Sequence, residues 1–179
     1  MYKASLVGAD PWWFATDGEG PFDLSNGLGT CYVSLDLDQT IGEVVGPASG
    51  RFRAVNEAQA RRLRVVPLRV RRPFRLASVD HAKARPFGLG GGTYADEGSF
   101  DETKEWAAAL QAAGFDGVLF SPRFIDTAKV SMAALFGAAG TPSPGPLEVA
   151  GAEIDGITAS LAAGFEVVPE QLRTHYDLI

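Results

Sequence analysis

Twice along this chain the tetrapeptide Ala-Ala-Gly-Phe stands where a helical pattern gives way to an apolar run, at 112–115 and again at 162–165. A glycine in that place can adopt the left-handed backbone that ends a helix, and the phenylalanine opens the stretch that follows. A chain punctuated in this way mixes helices with strands. Two short matches do not make a repeat architecture.

The first tetrapeptide closes the strongest helix pattern. Ser99-x-x-Glu102 reads as a capping box, and Trp106, Ala109, Leu110 and Ala113 are spaced for one face of the helix it opens. Phe115–Ser121 and Val130–Phe136 then read as two strands joined by a Pro-Arg turn. The second tetrapeptide closes a helix of about Gly156–Ala163 ahead of a final strand, Phe165–Val168. Nearer the start, Tyr2–Val7 reads as a short strand and 8–29 as a long loop with turns, rich in Gly, Asp, Pro and Asn. Thr30–Leu35 is a strand. Asp36 or Asp38 caps a helix through about Val45, which Gly46-Pro47 ends. Asn56–Arg62 is a short helix. Leu63–Val70 is a strand whose proline marks it as an edge strand or as two pieces. Phe74–Ser78 is a further strand. In the Phe87–Gly98 loop, Gly88-x-Gly90 lacks the strand before and the helix after that a dinucleotide loop requires, which argues against a Rossmann reading. Residues 137–146 read as a flexible connector.

The bulk numbers bound the function. A length of 179 residues with 46% hydrophobic side chains suits one domain with a sizeable core. No apolar run approaches the roughly 18 residues of a membrane span, and the start lacks the pattern of a signal peptide, so a cytoplasmic protein is expected. Cys31 is the single cysteine and His81 and His175 are the two histidines, which argues against a disulfide, a Cys/His zinc site and a Cys-His hydrolase. A net charge of −6 argues against general nucleic-acid binding. The charge is uneven: residues 1–50 hold seven acidic residues and one basic one, while 51–75 hold nine arginines. Such a run is more often a solvated face than a patch for an anionic ligand. The aromatic run Trp12-Trp13-Phe14 is read as a hydrophobic plug in preference to a lid or docking point.

Three ordered stretches carry more. They are Asp17-Gly-Glu-Gly-Pro-Phe-Asp-Leu24 with Gly29-Thr-Cys-Tyr-Val-Ser-Leu35, then Thr40-Ile-Gly-Glu-Val-Val45, then Trp106-Ala…Ala113-Gly-Phe-Asp-Gly-Val-Leu-Phe-Ser-Pro-Arg123 closed by Met132-Ala-Ala-Leu-Phe-Gly137. Together they resemble the RES domain, named for a set of Arg, Glu and Ser residues, over about 1–137. The resemblance implies an α+β, ADP-ribosyltransferase-like fold, with mixed sheets flanked by helices. It implies a single domain with a core of 1–137, a connector of 138–146 and a C-terminal helix and strand in 147–179. It implies NAD⁺ as substrate, consumed by hydrolysis or phosphorolysis or used to transfer ADP-ribose to a protein, and an Xre-type antitoxin as partner. No metal, membrane or direct nucleic-acid partner is expected, and a homodimer is left open. Glu43 and Tyr32 match the pattern. Pro21 stands where the resemblance puts an arginine, and Ser121 stands with a one-residue offset.

Cleaving the nicotinamide–ribose bond passes through an oxocarbenium-like transition state, as glycoside cleavage does. Nicotinamide leaves as a neutral molecule and needs little acid help. One carboxylate held against the ribose can stabilise the developing charge. Glu43 is the expected catalytic residue, because Ile41, Val44 and Val45 can face the core and leave Glu43 free for a pocket. Tyr2, Lys3, Tyr32, Ser121 and Arg123 are the expected NAD⁺-binding residues: Tyr32 by stacking and Arg123 by holding a phosphate. Proline at 21 offers neither charge nor N–H. Lys3, Arg51 and Arg53 are the cations that could replace the family arginine, and weaker NAD⁺ binding than in a standard member is expected. A module that kept the fold and lost the chemistry is the rival reading.

Overall fold

In the computed structural model, residues 1–24, 27–49, 53–87, 100–122 and 130–169 are described. Ser99, the Gly88–Gly98 loop, Arg51 and Arg123 with its turn lie outside them. In chain order come β1 (Tyr2–Leu6), β2 (Leu28–Ser34), α1 (Leu37–Ser49), β3 (Ala54–Asn56), α2 (Glu57–Arg61), β4 (Leu63–Val70) and β5 (Leu76–Ser78). A 3-10 helix (Ala82–Phe87) follows, then α3 (Asp101–Ala112), β6 (Gly117–Phe120), β7 (Met132–Ala138), β8 (Leu147–Val149), β9 (Ile154–Asp155), α4 (Gly156–Ala162) and β10 (Glu166–Val168). The main sheet has the order β5-β6-β7-β2-β1-β4-β8, with β9 also paired to β4. It is mixed, because β5 runs parallel to β6 while its other pairings are antiparallel. β10 and β3 form a separate parallel pair. No helix among the described residues is long and apolar enough to cross a membrane.

Register sorts the side chains onto two faces. Tyr2 pairs with Ser34, Tyr32 with Ala134, and Ala134 with Val118. Paired residues point the same way and neighbours alternate. Thr30, Tyr32, Ser34, Val118, Phe120, Met132, Ala134 and Phe136 therefore share a face. α3 covers one end of it with Ala107, Trp106 and Leu110. α1, α2 and α4 cover the other end around Ile41, Val45, Ala60, Val65, Ala159 and Phe165, with Tyr2 and Ala4 packed beneath. The opposite face buries Cys31, Val33, Val66, Leu68, Ala133, Leu135 and Leu147 around Phe14.

Phe14 is the plug of the aromatic run: it is fully buried, whereas Trp13 is 56% exposed. Gly137 makes room for it, since an added Cβ there would stand 2.7 Å from the Phe14 ring. Phe14 also exchanges two backbone hydrogen bonds with Gly140, and Arg71 N–H donates to Pro146 O. The 138–146 segment is thus tied to the 10–14 loop and to the end of β4.

Several expectations change. The Leu63–Val70 proline breaks nothing: β4 is continuous along β1, and Pro67 falls where its outer side passes from β9, at Arg64–Val65, to β8, at Leu68–Val70. No ladder donor is needed there. α1 runs on through Gly46-Pro47 to Ser49, because a proline in the last turn removes a single helical hydrogen bond. α3 starts at Asp101 with Phe100 as its N-cap and no side-chain cap. Its inner face is Thr103, Trp106, Ala107 and Leu110, while Ala109 and Ala113 are exposed. The short pairing strands β3, β8 and β9 have no period of their own to betray them in sequence.

Among the described residues the arginine run is mostly a solvated face, with Arg64 the more buried member. Arg61 pairs with Glu57, Arg64 with Glu153, Arg69 and Arg71 with Glu148, and Arg72 with Asp116. Arg75 lies over the Phe115 ring.

Candidate active site

On the helix-covered face, none of the described elements fills the seam between the α3 end and the α1 end. A cleft of about 200 Å³ lies there, lined by Gly20 and Pro21 from the 8–27 loop, Tyr32 from β2, Glu43 and Val44 from α1, Phe120 from β6 and Met132 from β7. Glu43 is half-buried and Val44, against expectation, is exposed at 41%. On α1 the core-facing positions are Ile41 and Val45, which turns Glu43 away from the core and into the cleft. Tyr32 stands on the face that strand alternation assigns it. Its ring meets Phe120 edge-on at 6.3 Å.

The far wall is held by a local network. Thr30 Oγ1 donates to Phe22 O and accepts from Leu24 N–H. Tyr32 Oη accepts from Phe22 N–H at 2.9 Å and donates to Asp23 Oδ1 at 2.8 Å. Asp23 Oδ2 accepts from Gly20 N–H at 2.9 Å. Asp23 is 5% exposed. Burial pushes its carboxyl above the ordinary range, against the hydrogen bonds from Gly20 and Tyr32, and the neighbouring Asp17 pushes it the same way. Tyr32 was an expected site residue, whereas Gly20, Asp23 and Thr30, which build the wall with it, were not. Their signal was an aspartate three positions after a glycine, the spacing of a local side-chain-to-backbone bond.

The other expected binders are placed less closely. Tyr2 shares the face of Tyr32 but packs into the α1 cluster and does not line the cleft. Lys3 alternates with Tyr2 and so projects on the Cys31–Val33 face, away from Glu43. Ser121 follows the last residue of β6, and its N–H donates to Asp80 Oδ2 at 2.7 Å. Arg123 lies outside the described residues. Arg53 is committed elsewhere: its Nη2 donates to Ala163 O at 2.8 Å and its guanidinium covers the Phe165 ring. Cys31 is buried, and burial pushes its thiol up, so it is no ready nucleophile.

Two larger clefts lie elsewhere. One of about 490 Å³ is lined by Arg61, Arg64, Glu153 and Asp155, with both arginines ion-paired. The other, about 470 Å³, is lined mainly by apolar groups such as Trp106, Leu110 and Phe115 and, among the described residues, by no carboxylate. The Glu43 cleft sets a carboxylate and an aromatic ring in one concave surface.

The RES domain family profile matches residues 3–143. The chain belongs to the RES domain family. Among solved structures, a chain in the crystal structure of the M.tuberculosis MbcT-MbcA toxin-antitoxin complex is similar to this RES domain at 17% identity and a TM-score of 0.59. The match covers 92% of this chain and 86% of that chain. The likeness shows the fold, α+β and ADP-ribosyltransferase-like. No curated protein matches this RES domain in sequence. In this member, the wall that the resemblance would furnish with an arginine is furnished by Pro21.

Proposed function

We propose that this RES domain cleaves the nicotinamide–ribose bond of NAD⁺ and serves as the toxin of a toxin–antitoxin pair. The observation that carries the reading is Glu43 turned into a cleft whose opposite wall is Tyr32. The Glu43 carboxylate stabilises positive charge on the ribose as the C–N bond breaks, and the bonding pair leaves with nicotinamide. An incoming oxygen, of water or of phosphate, then bonds the ribose carbon and sheds its proton. Tyr32 and Phe120 give the nicotinamide end an aromatic wall. The cleft is smaller than the roughly 300–1,000 Å³ of pockets that enclose a whole ligand, so it takes the reacting end and leaves the adenosine outside. Family membership and the likeness to a toxin chain support the same reading, and an Xre-type antitoxin is the partner it implies.

Incubating the purified chain with NAD⁺ and measuring free nicotinamide tests it. Glu43→Gln keeps the shape and removes the charge, and is expected to cut the rate about 100-fold or more. Equal release by both proteins would refute the reading.

Pro21 favours one rival, a module that binds a nucleotide or a protein partner without turning it over. It predicts no nicotinamide release, no toxicity on expression, and a stable complex on co-purification with the antitoxin.

A further inference from the structure

Asp23 does not line the cleft, yet both its oxygens are engaged by groups that do. A phenol carries one hydrogen. The Tyr32 oxygen already accepts from Phe22 N–H, and its hydrogen goes to Asp23 Oδ1 at 2.8 Å. The other carboxylate oxygen accepts from Gly20 N–H at 2.9 Å. Between those two bonds lies Pro21, part of the cleft wall. The closure is tight: a Cβ on Gly20 would stand 2.7 Å from Asp23 Oδ1 and closer still to Tyr32 Oη.

We propose that Asp23 is a positioning residue of the cleft: its ionised carboxylate holds the Tyr32 hydroxyl and the Gly20–Phe22 turn in the arrangement that faces Glu43. The proposal rests on the reading of this cleft as the NAD⁺-cleaving site. The Tyr32 ring is fixed separately by Phe120, so Asp23 governs the hydroxyl and the turn. A buried carboxylate does this better than a neutral amide, because a charged acceptor makes the shorter and stronger bond.

The arrangement therefore depends on the charge of Asp23. The ionisable groups that act on it are Asp17 from its own loop and Tyr32 from β2; Glu43 stands in the cleft beyond Tyr32, and Lys104 of α3 stands beside the Gly18 turn. Lys104 Nζ lies 3.7 Å from the position of a Cβ on Gly18. Burial and Asp17 favour the neutral acid, while the Gly20 and Tyr32 bonds favour the carboxylate. Protonation gives Asp23 a hydrogen to share with Asp17 and weakens its hold on Tyr32. The cleft should loosen in mild acid.

The test follows Tyr32 itself. The full chain is labelled with carbon-13 at the ζ position of its four tyrosines, and Tyr32→Phe identifies the Tyr32 signal. That signal should shift with pH in one step, with a midpoint above the roughly 3.9 of an ordinary aspartate. The step should vanish in Asp23→Asn. A wild-type signal that stays flat as pH rises from about 4, the ordinary aspartate value, or a step that survives Asp23→Asn, overturns the proposal. The wild-type arm needs no variant to fold, and neither arm needs NAD⁺. If no nicotinamide is released at all, the function reading fails and these spectra still decide the role of Asp23. If nicotinamide is released, kcat/KM should fall on the acid side of the same midpoint, and Asp23→Asn should lose that limb. Adding Tyr32→Phe to Asp23→Asn should then lower kcat/KM no further, whereas additive losses would show that Asp23 acts independently of Tyr32.

Discussion

Pro21 and Asp23 stand two residues apart in one turn and set opposite aspects of the site. Proline gives its own place in the cleft wall no cation. Lys3 projects from the other face and Arg53 is bound to α4, so neither supplies one. Pro21→Arg should therefore tighten NAD⁺ binding about tenfold or more by calorimetry, the worth of one or two hydrogen bonds to a charged group. An unchanged affinity would mean that the pyrophosphate lies away from this wall. Asp23 makes a second prediction, on stability. Its carboxyl is pushed above the ordinary range by burial, so the folded state binds the proton more tightly than the unfolded chain. The associated stability is fully present below the unfolded value, near 3.9, and is lost as pH rises through the raised one. The Tm difference between wild type and Asp23→Asn should move in the variant's favour as pH rises above the ordinary aspartate value. Movement the other way would show that the Tyr32 and Gly20 bonds outweigh desolvation.

At the scale of elements, the two Ala-Ala-Gly-Phe turns use one mechanism. In the first, Gly114 has φ +81° and Phe115 N–H donates to Leu110 O; in the second, Gly164 has φ +75° and Phe165 N–H donates to Ser160 O. Left-handed glycine ends each helix, and the phenylalanine bond reaches back across the last turn. Beyond its chain neighbours, no atom of the described residues lies within 4 Å of a Cβ built on Gly164. Gly164→Ala should thus cost only the backbone penalty, about 1–2 kcal/mol by denaturant unfolding. Gly156, at the start of α4, is constrained by space instead. A Cβ there would stand 2.7 Å from Leu63 O and 2.9 Å from Leu63 Cβ, besides meeting Ala60 O. Gly156→Ala should cost about 3 kcal/mol or more, because α4 must back away from β4. If the two substitutions cost the same, packing at α4 is looser than these distances imply. These turns were legible in sequence because they are decided within five residues. β3, β8 and β9 were not, since strands of two or three residues exist only through the neighbour that pairs with them.

For the whole molecule, the seam between two helix-covered ends of one sheet is what makes a site. A small cleft with no cation among its described lining residues predicts weak binding. Calorimetry should give an NAD⁺ dissociation constant weaker than micromolar, and Tm should rise only at NAD⁺ concentrations well above it. Tight binding would contradict the role assigned to Pro21. The residue types and order of the RES pattern were visible in the chain, and so were most helices and strands, because periodicity and turn chemistry are local. Glu43 was already separable from the core by helical phase, although Val44, expected on the core side with Ile41 and Val45, is exposed. What local pattern could not supply was the company Glu43 keeps. Gly20, Tyr32, Phe120 and Met132 come together through the β6-β7-β2 pairings, while Lys3, a plausible cation on paper, is sent to the opposite face by the alternation of β1. Helix and turn signals act over a few bonds. Which side chains share a cleft depends on strand register between distant segments, and that is settled by burying the faces of the whole sheet at once.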